Sequence, residues 1–334
     1  MTDQPPSPEE SAPEESAPEE SAPAESAPAE SAPDVFAPEV SAPDTDELEV
    51  FESTGSASKR WVPPQLVIGG VIVAFIVVIG LASLFWTPYD LDKVDVPNQF
   101  LPPGSDGYLL GTDKLGRDMT SQIMAGARNS LLVSVVSTIA SIIPGVLFGL
   151  VAAGARPFQQ RIMSRVTDIG IALPGILVAL VLATSLGPGN TTAIIAIMFW
   201  LIPTVARVTI GPARQILSRD FVEASQAYGR TRKFILFRHV LPNIGPLIIV
   251  QASVMFAIAI LVEAALSYLG IGAQRPTPSW GRLLKEAQPL LDQAPYLMII
   301  PGVSIMVAVI GFNLLGDGLR TYLDPQQTTK GAGV

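Results

Sequence analysis

The chain has 334 residues, 49% of them hydrophobic and only 15% charged, with a mean hydropathy of +0.42, which departs from soluble globular domains toward membrane proteins. The net charge of −9 is uneven: residues 1–60 hold sixteen of the thirty acids and two of the twenty-one bases, so that stretch carries −14 and the remainder +5. Cysteine is absent and His239 is the only histidine, which excludes a disulfide framework, a thiolate metal site, an iron–sulfur cluster and a thiol nucleophile, and argues against a histidine metal centre.

Residues 1–60 repeat a five-residue unit, EESAP drifting to AESAP, with proline at 8, 13, 18, 23, 28, 33, 38 and 43. Proline every fifth residue interrupts any helix, and the Glu/Ser/Ala filler offers little to bury, so the expectation is a disordered acidic tail. It reads either as a solvated extension or as an acidic arm against a basic face. No secretory signal is expected, since some sixty residues precede the first apolar run.

Beyond Lys59 and Arg60 the chain is a series of apolar runs, to be compared with the roughly 20 residues that cross a bilayer as a helix. Uncharged runs at 66–86, 131–153 and 296–316 meet that length, 244–270 meets it with one acid, Glu263, and shorter runs at 169–186 and 192–210 complete six. The reading is an all-α membrane protein with a 61–325 transmembrane domain and a short tail at 326–334. With the N-terminus inside, the inner loops receive fourteen Lys/Arg and the outer loops seven, which places both termini in the cytoplasm of a multi-pass plasma-membrane protein. Prolines 144, 174, 203 and 301 fall within these spans and suit a packed, moving bundle.

Between the fourth and fifth spans lies EASQAYGRTRKFILFRHVLPN, residues 223–243, dense in bases. Asp220 can cap a helix with Glu223 in its first turn, and Gly229 interrupts it. Residues 230–240 then form a second amphipathic segment, and Pro242 redirects the chain into the fifth span. Such a protrusion suits docking into another protein; the bases could equally answer the charge bias, rest on anionic lipid, or flank two helices that pack only on each other.

Other ionisable residues have two readings each. Glu263 sits about 27 Å along the fifth span, at about 1.5 Å per residue, where an acid either faces a path or gate or is a hydrogen-bonded structural group. Asp168 opens the third span, and Asp317, closing the sixth, is expected to pair with Arg320.

The pattern Glu223-Ala224-Ser225, three residues, Gly229, nine residues, His239-Val240-Leu241-Pro242 resembles the EAA loop of ABC importer permeases, with Ser225 in place of alanine and His239 in place of isoleucine. LGTDKLGRD at 110–118, GARNSL at 126–131, SYLGIG at 267–272, PSWG at 278–281 and FNLLGDGLRTYLDP at 312–325 resemble the C-type subunit of the dipeptide/oligopeptide/nickel permease family, so the resemblance covers about residues 60–325. It implies the type I importer permease fold and one half of a pore shared with a sister permease, fed by an extracytoplasmic solute-binding protein and driven by two ATPase subunits. Glu223, Ala224, Ser225, Gly229, His239, Leu241 and Pro242 are then the ATPase-coupling residues, Glu263 a candidate pathway or gate residue, and Asp113, Arg117, Asp118 and Trp280 candidates for outer-face docking. The chain has no G-x-x-x-x-G-K-[ST] loop, so no enzymatic activity and no cofactor of its own are expected, and ATP and Mg belong to the ATPases. Membrane lipid is an expected partner and nucleic acid is not. The cargo is read as peptide, with a nickel chelate or haem as the alternative; a secondary transporter or a non-transporting scaffold fits the family segments less well.

Overall fold

A computed structural model describes residues 62–323; the expectations about the acidic tail and the last residues lie outside them. Among the described residues, ten α-helices make up the bundle: α1 (Pro64–Ala82), α2 (Met119–Ala153), α3 (Pro157–Ala172), α4 (Gly175–Leu186), α5 (Asn190–Leu217), α6 (Asp220–Ala227), α7 (Arg232–Ile235), α8 (Leu241–Leu269), α9 (Trp280–Ala287) and α10 (Tyr296–Leu323). A π-helical turn, Leu236–Val240, joins α7 to α8, so that Arg232–Leu269 runs as one helix of 38 residues. Among the described residues five helices are long and apolar enough to cross a membrane, and six spans result when the bent pair α3–α4 counts as one, the number expected from the sequence.

Several boundaries differ from the sequence reading. α2 starts at Met119, well before residue 131, because Asp118 caps it: its carboxylate accepts from the Thr120 and Ser121 amides at 3.2 and 2.8 Å. The third span is broken rather than kinked. Pro174 forces Leu173 out of the helical region, to ψ 124°, and the axes of α3 and α4 differ by 79°. α5 continues beyond residue 210 to Leu217, and the charge of Arg207 within it is met by Asp168 on α3 at 2.5 Å.

The helices meet at small residues, as expected where apolar surface is no discriminator between neighbour and lipid. A side chain at Gly69 would collide with the Leu315 backbone, and one at Gly311 would lie 2.6 Å from Ile72, which presses α1 onto α10. Along α2 the Cβ positions of Gly145 and Gly149 fall 2.7 and 2.6 Å from Val205 and Thr209 of α5. One apolar core joins α2, α5 and α8 around Leu150, Ile197, Leu201 and Ile244; a second joins α1, α2, α8, α9 and α10 around Leu131, Ile260, Trp280 and Phe312.

Candidate functional site

At one end of the bundle α6, α7 and the π-turn form a protrusion. Asp220 and Glu223 occupy the first turn of α6, where the helix dipole favours acids, but Asp220 does not cap it: Arg219 holds that position and no side chain closes it. The C-terminal end is closed by the backbone. The Gly229 and Arg230 amides donate to the Gln226 and Ser225 carbonyls at 2.9 and 3.2 Å, a Schellman turn that needs the left-handed φ of +74° found at Gly229. Thr231 then caps α7 by accepting from the Phe234 amide.

Pro242 does not redirect the chain as the sequence suggested. It sits in the first turn of α8 while the helix runs through. The wider π-turn before it makes room, with the Leu241 amide donating to the Leu236 carbonyl, and the Asn243 side-chain amide donates to the His239 carbonyl at 2.6 Å. His239 is the pivot of the protrusion: its ring meets Phe221 edge-on at 6.0 Å and Phe234 at 5.6 Å, while Arg230 covers Phe234 at 5.0 Å. Sequence reasoning named His239 from a motif position; it could not supply this role, because the two phenylalanines come from different helices.

The protrusion has two faces. Val222, Ile235, Leu236 and Val240 belong to the core shared by α2, α5 and α8. Glu223, Ala224, Gly229 and Pro242 are exposed, Ser225 and Leu241 are partly so, and Tyr228 is 87% exposed. An aromatic and basic surface is therefore mounted on a rigid root.

At the opposite end the sequence candidates Asp113, Arg117, Asp118 and Trp280 come together, but not as an accessible surface. Asp113 and Asp118 are buried and Trp280 is 2% exposed. Arg117 bonds Asp113 at 2.6 Å and Glu286 at 3.3 Å; Glu286 also takes Arg282 at 2.8 Å and Arg275 at 3.2 Å. The Trp280 indole donates to the Ile123 carbonyl at 3.1 Å. Asp113, Asp118 and Trp280 are buried and Arg117 nearly so, so these side chains build this end of the bundle from within and do not stand out on its surface. Glu286, at the centre, was missed by the sequence reading; its signal was the i, i+4 spacing to Arg282. Burial raises its pKa, but the hydrogen bond and charge of Arg282, then the charges of Arg275 and Arg117, outweigh that and hold the carboxyl below its ordinary value.

Glu263, the candidate path or gate residue, is 1% exposed. In this conformation the carboxylate is enclosed by its own chain. Its Oε1 accepts from the Ser267 hydroxyl at 2.7 Å, and Ser267 accepts from the Ala273 amide at 3.1 Å, which fastens the loop after α8. The Ser130 and Ser279 hydroxyls flank it, while Oε2 has no hydrogen bond among the described residues. Asp317 and Arg320 form no ion pair among the described residues, contrary to expectation; both are exposed.

A bundle of apolar helices with a rooted protrusion at one end and a clasped face at the other is that of a multi-pass membrane protein. The chain belongs to the binding-protein-dependent transport system inner membrane components, whose family pattern it matches over residues 145–329. It is 40% identical over 267 residues to the di/tripeptide transport system permease protein DppC of Pseudomonas aeruginosa (strain UCBPP-PA14), covering 78% of this chain and 88% of that one. It is 39% identical over 265 residues to the dipeptide transport system permease protein DppC of Escherichia coli K12, covering 78% and 88%. It is 35% identical over 260 residues to the glutathione transport system permease protein GsiD of Pectobacterium atrosepticum, covering 78% and 86%. Among solved structures, the inward-facing MetNI methionine ABC transporter aligns with a TM-score of 0.53 at 19% identity, covering 61% of this chain and 97% of that one, which shows the shared fold.

Proposed function

We propose that the chain is the permease subunit of an ATP-driven importer of short peptides, pairing with a sister permease and receiving cargo from a solute-binding protein at the clasped end. The relatives named for di/tripeptides, dipeptides and glutathione support the cargo. ATP and Mg are held by two ATPase subunits at the protruding end, which lies in the cytoplasm with both termini; the permease performs no chemistry itself.

The observation that carries this reading is the two-faced protrusion. A partner that grips Tyr228, Glu223 and the Arg230–Phe234 pair pushes on Val222, Ile235 and Val240, and so on the core of the bundle. The test is a pull-down of ATPase subunits with this chain, together with transport of a labelled dipeptide in reconstituted complex. Tyr228→Ala and Glu223→Lys are expected to lower ATPase retention or to separate hydrolysis from transport while the sister permease stays bound. Wild-type retention and transport in both variants would remove the assignment.

A further inference from the structure

The protruding end carries a second polar feature that the importer reading does not use. The Cβ position of Gly154 lies 3.2 Å from Leu236, so the start of α3 shares this end with the protrusion. There α3 and the end of α5 enclose an open pocket of about 370 Å³ lined by Gln160, Arg161, Ser164, Arg165, Asp168 and Arg214. Its one acid is engaged, since Asp168 is bound by Arg207 at 2.5 Å. Arg214 is held in place: with the Gln160 amide oriented to satisfy both groups, its oxygen accepts from Arg214 Nε and Nη2 at 2.6 Å each. Arg161 and Arg165, one turn apart on α3, have no hydrogen bond or ion pair among the described residues. Beside this basic row α3 exposes an apolar one, Phe158, Ile162, Val166 and Ile169.

We infer that this pocket binds the phosphate headgroup of an anionic phospholipid, with an acyl chain along the apolar row of α3. Three guanidinium groups around a hydroxyl and an amide match a phosphate, and the single acid is neutralised from outside the pocket. The neighbouring row selects lipid over free phosphate, because an inorganic anion has no use for four exposed apolar side chains at helical spacing. The placement at a membrane surface rests on the reading of the chain as a permease; the side of the membrane does not matter to it.

The test uses the full chain, purified with the subunits it retains, in phosphatidylcholine nanodiscs titrated with phosphatidylglycerol, bound lipid being counted by native mass spectrometry. Arg161→Gln with Arg165→Gln is expected to weaken phosphatidylglycerol retention about five-fold per arginine, roughly 25-fold together. Lysine at both positions keeps most of the retention, and Lys93→Gln with Lys114→Gln at the clasped end leaves it unchanged. Unchanged retention in the first pair, or an equal loss in the control pair, overturns the site. So does displacement by inorganic phosphate at the concentration that displaces lipid, which marks a free-anion site, or cross-linking of a cysteine at position 161 to another subunit, which marks a covered protein interface. Labelling of this end from outside the cell would sink the orientation proposed above and leave the lipid site standing.

Discussion

Arg117 lies 3.3 Å from Glu286 across 169 residues of sequence, and through this contact the segment before α2 is clasped to α9. Arg282 and Arg275 converge on the same carboxylate, so one anion holds three cations.

Replacing that anion is therefore expected to cost more than an ordinary surface change. Glu286→Gln keeps the shape but leaves the largely buried Arg282 without a counter-charge and Arg117 with Asp113 alone, at a cost of roughly 1–3 kcal/mol. Because the folded carboxyl has a lowered pKa, its contribution is fully present above the unfolded value near 4.5 and is lost as pH falls through the folded value. Thermal melts of the solubilised chain in acid are expected to show a stability loss below about pH 4.5 in the wild type, and this part of the slope is expected to be smaller in Glu286→Gln. Parallel curves would deny Glu286 the role.

Gly229 separates backbone strain from docking. Nothing lies within 4 Å of its Cβ position, so a side chain there meets no atom of this chain, yet its φ is +74°. Gly229→Ala is expected to cost about 1 kcal/mol and to loosen the aim of α6, and Gly229→Asn less. ATPase retention should then rank glycine, asparagine, alanine. If asparagine is as damaging as tryptophan, the defect lies against a partner and not in the turn.

The α2–α5 seam tolerates no bulk. Gly149→Val places its Cβ 2.6 Å from Thr209 and 2.8 Å from the Ala206 carbonyl, where the backbone cannot yield as a side chain would. A destabilisation of about 1–3 kcal/mol, or loss of folded yield, is expected. Gly211→Val, on α5 with nothing within 4 Å of its Cβ position, should melt close to the wild type, since valine is no poorer a helix former than glycine. Similar melting of the two variants would mean that the seam opens freely.

For Glu263, the neutral isostere and the apolar replacement should diverge. Glu263→Gln can still accept from Ser267 and is expected to assemble with nearly unchanged melting, whereas Glu263→Leu leaves the Ser267 hydroxyl without its acceptor, costing roughly 1–3 kcal/mol. A glutamine variant that assembles, melts normally and hydrolyses ATP but fails to transport would restore the pathway reading.

The absence of native cysteine permits a direct check of orientation. Single cysteines at Ser105 and Gln288 should react with an impermeant maleimide on intact cells, and one at Ser218 only after permeabilisation. The reverse pattern would invert both termini.

The sequence made the spans legible wherever an uncharged run was long, because an apolar stretch of bilayer length has few alternatives. It was less legible where helices carry polar residues: α2 holds Arg128, Asn129 and Ser130, which end an apolar run without ending the helix, and α5 carries Arg207 and runs on beyond residue 210 through Arg214. Asn129 meets Asn190 at 2.6 Å and Arg207 meets Asp168 at 2.5 Å, and such pairings between distant residues leave no periodic trace. The break at Pro174 was visible as a proline, but whether a proline kinks or severs a helix depends on what neighbours the two halves find. Of the outer residues, the motifs located the right segments but not the direction of their side chains, which only burial decides.

The unbroken helix Arg232–Leu269 has one further consequence. Its 38 residues, at about 1.5 Å each, reach roughly 57 Å, from the Thr231 cap in the protrusion to the Ser267–Glu263 bond at the clasped end. Over that reach each degree of tilt at one end displaces the other by about 1 Å. A few degrees of tilt at the protrusion therefore correspond to a few ångströms at the far end of the same helix, with the π-turn at Leu236–Val240 lying next to the end from which the tilt would start.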